Sequence, residues 1–213
     1  MKQIIKNHEP QEIIDWKALA DANWQPTYRD APKGIIRQSL LEEQGYICCY
    51  CNKDISDEDF HIEHFRPQDP FDYLELEYIN MHASCMKNKV KGSPSHCGDA
   101  KKNWFDNRLT LSPLDNNEIS FRYLDDGILE AGVPDASEMI TKLNLNEETL
   151  RSKREAEITG ILDEEFIETA TNDQLLNLFA KISRKNNGKY QEFTIAIQQQ
   201  IKQLLPANVA ANL

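Results

Sequence analysis

Four cysteines are the residues of this chain whose types and spacing most clearly predict chemistry. Cys48 and Cys51 form a C-x-x-C pair, and Cys85 and Cys97 follow at a wider spacing. Two cysteines separated by two residues can hold one metal ion from a tight turn, and zinc prefers four thiolate or imidazole ligands. The spacing therefore predicts that these thiolates hold a structural zinc ion, with no coordination position left open for water.

Some details of this site stay open in the sequence. The second pair is spaced more loosely than in a typical zinc site, so His61 or His96 could replace one cysteine, and four unrelated buried cysteines are the alternative. Cys49 is crowded by its neighbours, and we expect it to pack in the core. The odd total of five cysteines does not fit an ordinary disulfide framework. Metal ligands in a reducing compartment fit it better.

A second candidate site lies between the cysteine pairs, at Glu63, His64 and Asn80. Hydrolysis of a phosphodiester needs a base for water and a Lewis acid at the phosphate. His64 can be the base, because an imidazole with an ordinary pKa is mostly neutral near pH 7. Glu63 offers hard oxygen ligands to a cation such as Mg²⁺. Asn80 can bind the same cation or pin the loop that carries His64.

The position of this pair on a strand limits how it can act. Neighbouring residues on a strand point in opposite directions, so Glu63 and His64 can serve one site only if the strand ends or bends there. Pro67 makes such an end plausible. A Glu-His pair alone is a weak signal and is more often an ordinary surface pair. Its place between two cysteine pairs, with Asn80 beyond, favours the catalytic interpretation.

Basic residues near the pair could contact nucleic acid. Arg66 could clamp a scissile phosphate, and a structural ion pair is an equal alternative. Lys101 and Lys102 could contact backbone phosphates without reading sequence. In residues 85–108, six basic residues outnumber two acidic ones, and a solvated loop is the alternative interpretation. The basic residues are Lys87, Lys89, Lys91, Lys101, Lys102 and Arg108.

The surrounding patterns predict the elements that hold these residues. Residues 34–44 carry apolar side chains on one face, which predicts a helix that Gly45 ends in a left-handed cap. The alternation over 60–66 predicts a strand. Residues 77–89 read as a helix that carries Asn80 and Cys85. The expected order around the site is therefore strand, loop and helix.

The rest of the chain predicts a hairpin followed by helices. Residues 119–124 and 128–131 flank an Asp-Asp-Gly turn, which is a good hairpin signal. Helices are predicted from a cap at Asn146 to about Phe166, over 173–185 and over 189–205. The expected fold class is α+β. It comprises an N-terminal helical segment (1–45), a zinc-stapled core (46–110) and a hairpin with a helical C-terminal region (111–213).

Composition limits the possible partners. The chain has 213 residues, of which 40% are hydrophobic and 28% charged, as in soluble globular proteins. No stretch approaches the roughly 20 apolar residues of a membrane span, so we expect a cytoplasmic protein without membrane contact. The net charge of -11 repels nucleic acid on average. A nuclease of this composition needs a local basic patch or a basic partner.

Together these motifs resemble the HNH endonucleases, which have a ββα-metal fold. The family pattern is a C-x-x-C knuckle, an acidic residue followed by His, an Asn and a second cysteine pair. The resemblance implies that His64 activates water, Glu63 binds catalytic Mg²⁺ or Mn²⁺ and Asn80 orients the His64 loop. The four cysteines would hold Zn²⁺.

The third residue of the family motif departs from the pattern here. The family usually has His or Asn on the helix after the second cysteine pair. The corresponding region of this chain offers Asp99 as the nearest ligand for the catalytic cation, with His82 and Asn88 as alternatives.

A closer resemblance is to the PtuB family, the HNH subunits of Septu-type and some retron anti-phage defence systems. It is carried by the stretches LLEEQGYICCYC, HIEHFRP and CG…K…WFD. It implies a DNA endonuclease that works with an ABC-type ATPase of the PtuA kind. The chain itself has no G-x-x-x-x-G-K-[ST] run for ATP. A zinc-stapled nucleic-acid-binding or adaptor protein without catalysis, and a nuclease acting on RNA, are the competing interpretations.

Overall fold

The computed structural model describes residues 1–56, 59–86 and 92–213. Within these ranges the helices are α1 (Gln11–Lys17), α2 (Lys33–Gln44), α3 (Cys97–Lys101), α4 (Pro134–Lys142), α5 (Glu148–Ile161), α6 (Glu164–Thr169), α7 (Asn172–Ile182), α8 (Thr194–Leu204) and α9 (Ala207–Ala210). The strands are β1 (Phe60–His64), β2 (Met81–Cys85), β3 (Phe121–Tyr123) and β4 (Leu129–Ala131). Helices combined with two small antiparallel sheets confirm the α+β class.

The first hairpin carries the candidate site. β1 pairs with β2 in antiparallel register from Phe60 opposite Cys85 to His64 opposite Met81. The strand predicted over 60–66 is therefore confirmed for its first five residues. Two tight turns, Asp72–Leu74 and Tyr78–Asn80, lie in the connection between the strands.

The helix predicted over 77–89 is wrong in its described part. Asn80 ends a single 3-10 turn, and Cys85 ends strand β2. Every residue of β2 is buried, the polar His82 and Ser84 included. Its alternation of apolar and polar residues covers only five positions, which is too short to distinguish a strand from a helix. Residues 87–89 of the predicted helix lie outside the described ranges, as do Asn88 and the three lysines at 87, 89 and 91.

Helix α2 delivers the chain to the cysteines as expected. It ends at Gly45, whose φ of 62° is left-handed. A side chain at that position would also collide with the ring of Tyr190, so only glycine fits this turn.

The side chain of Gln44, the last residue of α2, fastens the helix to β2. Its Oε1 accepts from the backbone N–H of Ala83 at 2.7 Å, and its Nε2 donates to the carbonyls of Ala83 and Ile47, both at 2.9 Å. These bonds are buried and lie two residues from Cys85. The position of β2 relative to α2 therefore depends on one amide side chain.

The second hairpin and the C-terminal helices match the predictions with shifted boundaries. β3 pairs with β4 around the expected turn. Asn146 does not cap α5. Its amide pairs with both backbone groups of Leu129, and Glu147 caps the helix instead. The predicted helix to Phe166 is divided into α5 and α6, and α8 begins only after Phe193, whose φ is 50°.

The three sequence segments share one core. A single cluster of buried side chains includes Ile4 from the first segment, Phe60 from the second and Ile201 from the third. Lys6 holds the N-terminal segment against helix α2 and strand β2. Its Nζ donates to Glu43 Oε1 and to the carbonyl of Met81, both at 2.6 Å. In the described residues no helix is both long and apolar enough to cross a membrane.

We expect Gln44→Leu to destabilise the protein by about 2–4 kcal/mol, because it leaves buried backbone groups of β2 without partners. The measurement is the free energy of urea unfolding. Gln38→Leu is the matched control, since the Gln38 amide is exposed and bonds only along its own helix, to Glu42. Equal stability of the two variants would show that the Gln44 contacts do not position β2.

Candidate metal centre and active site

The four predicted cysteines converge on one point. The sulfur atoms of Cys48, Cys51, Cys85 and Cys97 all lie within 4.8 Å of one another and are buried. A tetrahedral zinc ion with Zn–S bonds of about 2.3 Å separates its sulfur ligands by roughly 3.8 Å. The distance between the sulfurs of Cys51 and Cys85 is 3.8 Å. The donor set and its spacing therefore fit a structural zinc ion.

Three separate elements supply these ligands. Cys48 and Cys51 lie in the turn after Gly45, Cys85 ends β2, and Cys97 begins α3 with a φ of 56°. Two backbone N–H groups point at the sulfurs, from Lys53 to Cys51 at 3.4 Å and from Cys85 to Cys48 at 3.5 Å. Such hydrogen bonds favour the thiolate form that zinc requires.

The neighbouring candidates do not replace a cysteine. His96 lies beside the cluster, with Nδ1 3.2 Å from the sulfur of Cys97. His61 lies on β1 with its Nε2 against Glu63, so it belongs to the other site. Cys49 is buried outside the group of four, and burial raises the pKa of its thiol well above the ordinary value. It packs as expected.

Glu63 is a buried carboxylate with three side-chain partners. Its Oε1 accepts from Lys101 Nζ at 2.9 Å and from Tyr50 Oη at 3.1 Å, and its Oε2 lies 3.3 Å from His61 Nε2. Burial by itself raises the pKa of this carboxyl, but the His61 hydrogen bond and the Lys101 charge outweigh it and hold the pKa below its usual range. Glu63 is therefore charged.

Helix α3 approaches Glu63 closely because its second residue, Gly98, has no side chain. A Cβ at Gly98 would overlap the Glu63 carboxylate and the His61 imidazole. The N–H of Gly98 donates to Ser84 Oγ at 3.1 Å, which fixes the start of the helix over the β1–β2 hairpin. Gly98 thus sets the distance between the helix and the carboxylate.

His64 has a different environment from Glu63, on the other side of β1. Its Nε2 lies 2.9 Å from the carbonyl oxygen of Glu75. A carbonyl can only accept, so Nε2 carries the proton and Nδ1 keeps a lone pair. The His64 and Tyr28 rings pack in a T-shaped arrangement, with their centroids 4.5 Å apart. Burial lowers the pKa of His64, so the imidazole is neutral near pH 7.

The Asn80 side chain binds the backbone that follows His64. Its Oδ1 accepts from the N–H of Arg66 at 2.8 Å, and its Nδ2 donates to the carbonyls of Arg66 at 3.0 Å and Leu74 at 3.3 Å. These bonds join the segment just after β1 to the turn before Glu75. Such contacts are those expected of a residue that holds the backbone next to His64.

The basic residues near the site differ in exposure. Arg66 is exposed, with its guanidinium 5.4 Å from the ring centre of Phe105 and 5.9 Å from that of Phe71. Lys102 is also exposed. Lys101 is only 2% exposed and bonds to Glu63 and to the carbonyl of His64, so the prediction that it contacts phosphates does not fit its position.

The predicted cation ligands Glu63 and Asp99 belong to no group of three or more potential metal ligands in the described part of the chain. Asp99 lies half-buried in the first turn of α3. Across residues 1–56, 59–86 and 92–213, the four cysteines are the one group of three or more His, Cys, Asp or Glu ligands close enough to share an ion. His82, opposite Glu63 in the hairpin, is fully buried with neither ring nitrogen bonded, and burial lowers its pKa far below the usual value.

Three contacts of the site were missed in the sequence: Tyr50, His61 and the inward-facing Lys101. The contact of His61 with Glu63 had a signal in the sequence. His61 and Glu63 are two apart on a predicted strand, so both lie on one face. The inward position of Lys101 had no signal, because a five-residue helix with two adjacent lysines does not show which of them faces the hairpin.

We expect Cys85→Ser to lose the bound zinc and to melt at a much lower temperature, since one ligand of four is removed and metal binding is coupled to folding. Metal analysis of the purified protein and thermal unfolding are the measurements. Cys49→Ala is the matched control and should keep about one zinc per chain. Full zinc content in Cys85→Ser would exclude this residue as a ligand.

Two known proteins have sequences similar to this chain. The chain is 30% identical over 169 residues to a candidate HNH endonuclease of retron Vc95 from Vibrio cholerae serotype O1 biovar El Tor, covering 74% of this chain and 78% of that protein. It is 30% identical over 97 residues to a candidate HNH endonuclease of retron Ec83 from Escherichia coli, covering 40% and 38%. No family model matches the chain. The similarity over most of its length shows that the chain belongs to the HNH endonucleases found in retrons.

Proposed function

We propose that this chain is a divalent-metal-dependent endonuclease that hydrolyses DNA phosphodiester bonds as the effector of a defence system. The observation that carries the proposal is the fixed orientation of His64. His64 is a buried imidazole with one nitrogen bonded to a carbonyl, and Asn80 holds the backbone just after it, which is an arrangement that suits a general base. The retron origin of both relatives supports the defence context.

The proton transfer follows from the state of the imidazole. The Nε2–H of His64 is held by the Glu75 carbonyl, so Nδ1 is the nitrogen that takes a proton from the attacking water. The side chain of Glu75 strengthens the arrangement, because its Oε1 accepts from the N–H of Tyr28, the residue packed against the ring. The ring therefore cannot rotate freely to expose Nε2 instead.

The acidic residues would supply the ligands of the catalytic metal ion. Glu63, with Asp99 on the adjoining helix, would hold Mg²⁺ or Mn²⁺, which when bound stabilises charge on the scissile phosphate and the leaving oxygen. Lys101 connects the proposed metal ligand to the proposed base, since its ammonium contacts both the Glu63 carboxylate and the backbone oxygen of His64. A displacement of Glu63 would thus be transmitted through Lys101 to the backbone of His64.

The exposed cations Arg66 and Lys102 are the proposed phosphate contacts. Arg66 lies two residues after the base, and its guanidinium is supported by two aromatic rings. Two cations are few for a protein whose net charge is -11. We infer that a partner supplies the main DNA-binding surface. The resemblance to PtuB implies that this partner is an ABC-type ATPase of the PtuA kind, and we propose it on that ground.

We expect His64→Ala to lower DNA cleavage by about 100-fold or more, because it removes the base while leaving the zinc site untouched. The measurement is the cleavage rate of plasmid DNA with Mg²⁺ or Mn²⁺. His8→Ala is the control, since His8 is exposed and far from the site in sequence. Zinc content and melting temperature should match the parent in both variants.

Two outcomes would contradict the proposal. Cleavage retained by His64→Ala would remove His64 from its role. DNA binding without metal-dependent cleavage by the parent protein, alone and with its partner, would favour the non-catalytic adaptor. Running the same assay with RNA distinguishes a ribonuclease.

We expect the chain to bind DNA weakly alone and to gain cleavage activity when co-expressed with an ABC-type ATPase encoded beside it. The reason is the acidic net charge, which the partner must offset. Co-purification and plasmid cleavage with and without the ATPase are the measurements. Equal activity of the isolated chain and the complex would show that the chain needs no such partner.

A further inference from the structure

The candidate cation position already contains a cation from the protein. Lys101 has a side chain with no exposed surface, and its Nζ lies 2.9 Å from Glu63 Oε1 and 3.2 Å from the carbonyl oxygen of His64. We propose that Glu63 and His61 form a divalent-cation site that the Lys101 ammonium fills in this structure, and that the metal binds only when Lys101 leaves. This inference rests on the proposed function.

The oxygens around Lys101 are the kind a hard metal cation takes. A carboxylate oxygen and a backbone carbonyl oxygen both face the ammonium, and Mg²⁺ and Mn²⁺ accept the same donors. Tyr50 adds a hydroxyl on the same carboxylate oxygen at 3.1 Å. The ammonium therefore occupies the oxygen-lined position in which an ion would lie.

His61 is the second protein ligand of the proposed cation site, in addition to Glu63. Its Nε2 lies 3.3 Å from Glu63 Oε2, and the two residues share one face of β1. The His61 side chain is 31% exposed, so the site can be reached from solvent on that side. Because Gly98 has no side chain, α3 packs directly against this carboxylate–imidazole pair without displacing either group.

The Lys101 ammonium and a divalent metal ion cannot occupy this site together, because both are positively charged. Glu63 carries one negative charge, which the Lys101 ammonium balances in a site that excludes most water. A divalent ion placed on the same carboxylate would meet a like charge within a few ångströms, and such repulsion is strong where screening is weak. Displacing Lys101 removes that repulsion and frees its ammonium for a nearby phosphate. The resting chain thus has low metal affinity.

The test measures Mn²⁺ binding by electron paramagnetic resonance on zinc-loaded protein without DNA. We expect Lys101→Met to bind Mn²⁺ about tenfold more tightly than the parent, because the competing charge is gone. Lys102→Met, which removes the same charge from the exposed neighbour, should change the affinity little. In the Lys101→Met background, His61→Ala and Glu63→Gln should each weaken binding. Unchanged affinity in Lys101→Met would overturn the proposal.

A second measurement uses the parent protein and so does not depend on how Lys101→Met folds. Acylation of lysines by an N-hydroxysuccinimide ester is followed by mass spectrometry with and without Mn²⁺. We expect Lys101 to be protected without metal and modified several-fold faster with it, relative to Lys102 in the same sample. Protection that Mn²⁺ leaves unchanged, at concentrations that saturate the protein, would show that the metal does not displace Lys101.

These readouts separate the two proposals. Mn²⁺ binding and lysine modification involve no DNA, so they hold even if the protein never cleaves. Metal-dependent cleavage that His64→Ala abolishes, with Mn²⁺ affinity equal in parent and Lys101→Met, would retain the nuclease and reject the exclusive cation site.

Discussion

The convergence of four thiolates is the constraint on which the rest of the site depends. Cys48 and Cys51 come from the turn after α2, Cys85 from the end of β2 and Cys97 from the start of α3. Held together by one ion, they would fix three elements to one another, and α3 is only a single turn of five residues. Metal binding would therefore add to the Gly98–Ser84 and Lys101–Glu63 contacts that hold α3 over the hairpin.

Fixing α3 also places the charged groups of the candidate site. Gly98 and Lys101 follow Cys97 by one and four residues, so the same turn that supplies a thiolate brings an ammonium to Glu63. A buried carboxylate is costly unless it is paired and hydrogen-bonded, and Glu63 has Lys101, Tyr50 and His61. An ion held by the four cysteines would consequently be coupled to the charged site, because loosening the thiolate cluster would leave Glu63 buried with Lys101 displaced.

Local signals in the sequence were enough to predict some elements and not others. The α2 helix, its Gly45 cap, β1 and the second hairpin each have a periodicity or turn signal of their own, and all four were confirmed. Strand β2 was mistaken for a helix, because its five residues, MHASC, are all buried and are too few to distinguish the two by periodicity. The convergence of the cysteines could be predicted from ligand chemistry, whereas the inward turn of Lys101 depends on tertiary packing that no short pattern encodes.

The separation of Glu63 and His64 across β1 explains why the pair needs so many supporting contacts. The ladder stays regular through His64, so the two side chains face opposite sides. Each therefore has its own support: Tyr50, His61 and α3 for the carboxylate, and the Asn80-pinned loop with Glu75 and Tyr28 for the imidazole. Only the Lys101 ammonium touches both residues among the described contacts of Glu63. Lys101 thus bonds to both the Glu63 carboxylate and the backbone of His64, although the sequence pattern suggested a surface contact to DNA at this position.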